Sequence, residues 1–239
     1  MLCYHGVDLK RFDFQTILNR TVEYKKLTKK IKLFQAGLFK FKKKEKVHLQ
    51  IVYIGALNSG YDLQTVISVA EKWKNEGKIP IQIHFAGKGE LLNTLKQKSK
   101  EFGLLEPVHL QNQKSKIIFH GQLKNDKINS LLLSSDLALV TNRSDTLVAC
   151  PYKAGEYAGA GLPMISCLEG EFNNLLNLWN VGTTYKSENI KSLYDAIKKY
   201  SKDFELLKMH NLNARKMAEH IFDREKTYKR LSKFIIDNN

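Results

Sequence analysis

Short apolar runs, each followed by a stretch of helical character, constrain this chain more than any other feature. Leu49-Gln50-Ile51-Val52-Tyr53-Ile54-Gly55 reads as a buried strand ending at glycine. Ile79 to Gly87 and Lys116 to Gly121 repeat that form, and Leu137 to Val140 and Met164 to Cys167 are shorter runs of the same kind. Val181 to Tyr185 reads as an edge strand. Between them, Leu63, Val66, Ile67 and Ala70 fall on one face of a helix. Leu131 to Val140 reads as helix end, turn and strand, and Ile190 to Tyr200 as an amphipathic helix. Phe204 to Ile221 and Glu225 to Ile236 read as closing helices, with Ala214, Met217, Ile221 and then Tyr228, Leu231, Ile235 at helical spacing. Strands alternating with helices of this length predict an α/β chain with a Rossmann-like parallel sheet covered on both faces. Ligands of such sheets bind beyond the carboxyl ends of the strands, so every turn that follows a strand shares one rim.

The segment Pro151-Tyr152-Lys153-Ala154-Gly155-Glu156-Tyr157-Ala158-Gly159-Ala160-Gly161-Leu162-Pro163 lies on that rim. Pro151 suits the first turn of a helix. Such a start offers unpaired N–H groups to an anion, and Glu156, about a turn and a half in, can accept both hydroxyls of a ribose. A helix packed on the sheet with a solvated Glu156 fits the same residues. The pattern P-x-K-x-x-E-Y-x-A-x-G-x-P resembles the donor-site segment of GT-B glycosyltransferases, close to glycosyltransferase family 4. The resemblance implies that Glu156 holds the ribose of a nucleotide-sugar and that the loop before it faces the diphosphate and sugar. Where many members carry a second Glu this chain has Val148, leaving Asp145 and Thr146 as the nearest groups for the sugar. The turn at Gly55 to Gly60 matches the family's phosphate loop without its usual Arg and Lys. That leaves the backbone N–H groups of Asn58, Ser59 and Gly60 for the anion, with Lys153 as the compensating cation. Asp62 suits a cap on the helix that follows. Gly87-Lys88-Gly89 corresponds to the family's G-x-G, where a turn and a ligand contact are equally good readings. Gly121, Gln122 and Leu123 correspond to the loop that faces the base, and His120 reads as structural.

The chain has 239 residues, enough for one sizeable core. A complete GT-B enzyme has two Rossmann-like domains, so the resemblance covers one half, the donor-binding one. Tyr4 to Phe12 resembles the family's interdomain hinge, N-G-V-D-x-x-x-F. The expected division is a hinge remnant and basic helical segment at 1–46, then the nucleotide-sugar domain at 47–239. The implied function is transfer of a sugar from a nucleotide-sugar, expected to be UDP-linked, to a glycan or lipid-linked acceptor in polysaccharide or glycoconjugate synthesis. The acceptor would be held by a partner domain or subunit. The alternative is a non-catalytic nucleotide-binding subunit or a truncated remnant. No residue stands out as a catalytic base.

The formal net charge is +15, and ten lysines against one acid fall between Lys25 and Lys46. In the same stretch Tyr24, Leu27, Ile31, Phe34, Leu38 and Phe41 mark one face of a helix. A basic helix of this kind suits an anionic membrane surface, while packing on protein fits the same stripe. Nucleic acid is not an expected partner, since no helix-turn-helix, zinc-ligand or RNP-type pattern accompanies the charge. There is no P-loop, no G-x-S-x-G and no Asp-x-Asp, so neither an obligatory metal nor a cofactor is expected beyond the sugar donor itself. Three scattered cysteines, no 18-residue apolar run and no signal-peptide pattern point to a reducing, cytoplasmic setting, peripheral to the inner membrane face if the basic helix binds lipid.

Overall fold

The computed structural model describes residues 4–23, 49–77, 79–105, 115–143 and 145–237. The expected basic helix at 24–46 lies outside them. Six parallel strands form one sheet in the order β3-β2-β1-β4-β5-β6: β1 Leu49–Ile54, β2 Ile81–Ala86, β3 Ser115–Gly121, β4 Leu137–Val140, β5 Met164–Ser166 and β6 Gly182–Thr184. The order reverses between β1 and β4, which opens a crevice at their carboxyl ends.

The strands are apolar on both sides because helices cover both sides. On one side Ile51, Tyr53, Ile83, Phe85 and Leu139 meet α2 (Leu63–Glu76), α3 (Leu92–Glu101) and α7 (Ile190–Lys202). On the other, Val52, Ala138, Val140 and Met164 meet α4 (Asn125–Leu133), α5 (Tyr152–Gly159), α6 (Glu171–Trp179) and α8 (Phe204–Met217). Leu63, Val66, Ile67 and Ala70 are all buried, as their spacing predicts.

The structure differs from the sequence reading in four places. Pro151 is the N-cap of α5 rather than its first helical residue. Asp62 precedes α2 but makes no side-chain cap; its carboxylate accepts from the Tyr185 hydroxyl at 3.2 Å and the Glu188 N–H at 2.8 Å. Two donors fixed beyond β6 hold it, so it ties the start of α2 to the far end of the sheet. The closing helices are α8, a π-turn at Ala218–Phe222, and α9 (Arg224–Asp237). Ala214 and Met217 are buried as expected, whereas Tyr228 and Ile235 of α9 are 47% and 50% exposed, so that stripe is not core. Finally, α3 and α6 are helices that the sequence reading did not single out.

The segment before the sheet returns to it. Val7 pairs with Asp223, donating to the Phe222 carbonyl at 2.6 Å. Phe12, 2% exposed, lies against α5, where a Cβ on Gly159 would come within 2.9 Å of its ring. Residues 14–23 are helical (α1). Arg20 in α1 donates to the carbonyls of Ser135 and Ala160, and Arg215 in α8 donates to Gly159 O at 2.9 Å. Both guanidinium groups satisfy carbonyls at or just after the C-terminal end of α5, where a helix presents unpaired acceptors.

Candidate functional site

The position of α5 decides the site. Tyr157 is fully buried, and its hydroxyl accepts from the Ile54 N–H at 2.9 Å, which locks the helix to the carboxyl end of β1. Three to four residues make one helical turn, so Lys153 and Glu156 project on the same side. Both line a cavity of about 490 Å³ together with Gly55, Tyr61, Asn142 and Arg11. The cavity sits on the rim where β1 and β4 part.

Lys153 is the unusual group. Part of its stem is exposed, but its Nζ is buried and has no hydrogen-bond partner among the described residues. The nitrogen lies 4.3 Å from the Tyr53 ring centroid and 4.2 Å from that of Tyr61. Gly55 leaves it room, since a Cβ there would stand 3.0 Å from Nζ. Burial pulls the ammonium down to about 7, from the usual 10.5. The ring faces offset part of that cost through cation–π attraction. Asn142 Oδ1, in the same cavity wall, is also buried without a partner. Buried polar atoms left unpaired are uncommon in native proteins and cost free energy. A buried ammonium that faces a cavity suits an anion.

Glu156 faces the same space and accepts from Arg11 Nη1 at 3.0 Å. The start of α5 lies beside it, with Pro151 and Tyr152 among the lining residues. Cys150 contributes a thiol pushed up to about 12, chiefly by burial, and therefore a neutral, unreactive one. A second cavity of about 530 Å³, lined by Tyr4, Glu171, Phe222 and Tyr228, shares His5, Cys150, Pro151 and Tyr152 with the first.

Of the binding residues proposed from sequence, Gly55, Lys153 and Glu156 meet at this cavity, and Val148, which stands where many family members carry a second Glu, lines it too. Asn58, Ser59 and Gly60 do not line it. The Ser59 N–H donates to Glu90 Oε1, from the loop after β2, and the Gly60 N–H to Asn58 Oδ1 within the turn, both at 3.2 Å, so two of the three proposed anion donors are already engaged. Thr146 approaches that turn, its Cγ2 3.9 Å from a Cβ built on Gly60, while its hydroxyl donates to Arg143 O at 2.6 Å. Asp145 is 70% exposed and faces Arg143 at 3.5 Å. Gly87 packs on the β1 rim, donating to Gly121 O at 2.8 Å. Gly121 opens the loop to α4, in which Gln122 is exposed and Leu123 packs on the second core layer. His120 lies 2.9 Å from His84, which also contacts Gln50 Oε1 at 2.7 Å, a chain across β3, β2 and β1 away from the cavity. Arg11, Asn142 and Arg224 line the cavity and were not singled out from sequence. The signal for Arg11 was available, since it stands in the hinge-like motif. Among the described residues no cluster of three or more His, Cys, Asp or Glu could hold a metal ion, and no helix is long and apolar enough to cross a membrane.

A parallel sheet in this order, covered by helices on both faces and with its crevice at the carboxyl ends of β1 and β4, is a Rossmann-like α/β fold. The chain belongs to the family of glycosyl transferases group 1, whose model matches residues 35–217. Its fold is that of one half of a GT-B glycosyltransferase. HepE from Anabaena, solved with UDP and glucose, superposes with a TM-score of 0.69 at 14% identity, over 98% of this chain and 56% of that one. Sucrose-phosphate synthase from Thermosynechococcus elongatus gives 0.68 at 12% identity, over 99% and 52%. A glycosyltransferase from Rickettsia africae gives 0.66 at 16% identity, over 98% and 56%. The chain thus spans little more than half the length of these structures. No curated protein matches the sequence.

Proposed function

We propose that the chain is the donor-binding half of a glycosyltransferase similar to family 4, taking a UDP-linked sugar and passing the sugar to an acceptor held by a second domain or subunit. The observation that carries this reading is the buried, unpartnered Lys153 ammonium facing the same cavity as Glu156. A nucleoside diphosphate supplies what both lack: an anion for Lys153 and the start of α5, and two hydroxyls for the Glu156 carboxylate. The UDP in HepE supports the nucleotide class. Asp145 and Thr146 are the groups on the loop proposed for the sugar, and the loop from Gly121 to Leu123 is the one proposed for the base. The turn at Asn58 to Gly60 then acts mainly by shaping the rim, because the side chains of Glu90 and Asn58 already occupy two of its N–H groups.

In the whole enzyme these groups would act by fixing the donor and stabilising the departing diphosphate. The acceptor would be a glycan or a lipid-linked saccharide, and the basic segment at 24–46 would hold the protein at the cytoplasmic membrane face. Calorimetric titration with UDP, GDP and ADP tests the reading. UDP should bind, and Glu156→Ala should weaken it by about 10- to 150-fold, the worth of hydrogen bonds to a charged group. Equal affinity in the variant would remove the ribose role, and no binding of any nucleotide would remove the function.

A further inference from the structure

We propose that Arg11 is a positioning residue of the donor site, holding the Glu156 carboxylate in the orientation that receives the ribose; this rests on the nucleotide-sugar reading above. The guanidinium forks: Nη1 donates to Glu156 Oε1 at 3.0 Å and Nη2 to Asn129 Oδ1 at 2.8 Å. Glu156 comes from α5, Asn129 from α4 and Arg11 from the segment before the sheet, so three separate parts of the chain converge on one group. The Arg11 and Glu156 side chains are 23% and 29% exposed, too enclosed for the loose ion pairs of a protein surface.

Arg11 is itself placed by packing. It ends the 3₁₀ turn Leu9–Arg11, capped by Asp8, whose Oδ1 accepts from the Lys10 N–H at 3.0 Å. The next residue, Phe12, is buried against α5, and the Arg11 guanidinium lies 5.5 Å from its ring centroid. A planar fork with both arms engaged leaves its partner little rotational freedom. The pair does not exhaust Glu156. A carboxylate has about four acceptor sites; Arg11 takes one on Oε1, and Oε2 has no hydrogen bond among the described residues. Both ribose hydroxyls therefore have somewhere to donate while Arg11 stays bound. The cation also offsets the repulsion between Glu156 and a nearby diphosphate, which a lone carboxylate in this cavity would raise.

The consequence is a selective defect. UDP and 2′-deoxy-UDP should be titrated into the 239-residue chain, its Arg11→Ala and Asn129→Ala variants, Glu156→Gln, and Arg11→Ala combined with Glu156→Gln. Losing the fork should weaken UDP by about five- to tenfold, less than losing Glu156 itself. It should also lower the preference for UDP over 2′-deoxy-UDP by about as much, because a misaligned carboxylate reads the hydroxyl poorly. Asn129→Ala, which leaves Arg11 in place, should shift the preference in the same direction by a smaller factor and serves if Arg11→Ala does not fold. In the Glu156→Gln background, Arg11→Ala should add little, since the two act as one unit. An unchanged preference in Arg11→Ala and Asn129→Ala, or full additivity with Glu156→Gln, overturns the proposal while UDP binding by the wild type leaves the donor-site reading standing. Absence of UDP binding by the wild type overturns both.

Discussion

Replacing Lys153 by Met separates stability from binding in opposite directions. The fall of the ammonium from 10.5 to about 7 corresponds to about 5 kcal/mol against its charged form, at about 1.4 kcal/mol per decade. The two tyrosine faces return part of a comparable term, up to about 2 kcal/mol for a desolvated contact. The sign follows from proton counting. Between pH 7 and 10.5 the unfolded chain holds a proton that the folded, empty site releases, so stability rises with pH across that window and the full penalty stands below 7. Lys153→Met removes the penalty and should stabilise the ligand-free protein by roughly 2–4 kcal/mol at pH 6. The same variant should lose about 10- to 150-fold in UDP affinity, the worth of a charge-assisted contact. A bound diphosphate restores the charge on Lys153, so the wild type takes up a proton on binding and its affinity falls by up to about tenfold per pH unit above 7. The phosphate's own proton, with a pKa near 6, is already gone in that range. Calorimetry at pH 8 in buffers of different ionisation enthalpy reads the uptake directly, nearly one proton for the wild type and none for the variant. UDP affinity that stays flat from pH 7 to 9, or Lys153→Met binding UDP as the wild type does, refutes the reasoning.

Gly87→Ala should cost about 2–4 kcal/mol, read as a lower denaturation midpoint, because the new Cβ meets the Gly55 carbonyl at a φ of 148°; an unchanged midpoint would show that the β1 and β2 rims can separate freely. Burial first, then His120 and Lys116, hold His84 down at about 4. The unfolded state therefore binds the extra proton between pH 6.5 and 4, and up to about 3 kcal/mol of stability is lost as pH falls through that window. His84→Gln should flatten the profile in urea titrations at pH 7 and 4.5, and an unaltered slope would place the acid sensitivity elsewhere. The 239-residue chain should float with anionic vesicles at low salt and be released at high salt through the lysines of residues 25–46; no flotation at low salt removes the membrane role.

Which parts of this architecture could be read beforehand depended on the range of the interaction. Strand positions came from runs such as Leu49 to Ile54, and α2 from Leu63, Val66, Ile67 and Ala70, because burial on both faces of a parallel sheet writes itself into adjacent residues. Where the local signal was weak the reading missed. In α3 only Leu95 and Ser99 are buried, so it has hardly any stripe. The nine residues of α6 follow Gly170 at a φ of 70°, with no side-chain cap to mark its start. The reverse held in α9, where Tyr228, Leu231 and Ile235 keep helical spacing while Tyr228 and Ile235 stand well exposed. Periodicity reports a face; it does not say what covers it.

The site divides along the same line. Lys153 and Glu156 lie three apart on a helix that follows a strand, so their shared direction and their place on the rim belonged to the sequence alone. Only the tertiary structure set Lys153 Nζ between Tyr53 and Tyr61, about a hundred residues away in the chain, and took its hydrogen-bond partners from it. Only the tertiary structure brought Arg11 to Glu156 across 145 positions and set Glu90, 31 positions on, against the Ser59 N–H. Helical and strand periods are properties of neighbouring residues, whereas desolvation and charge pairing depend on which distant surfaces close over a group.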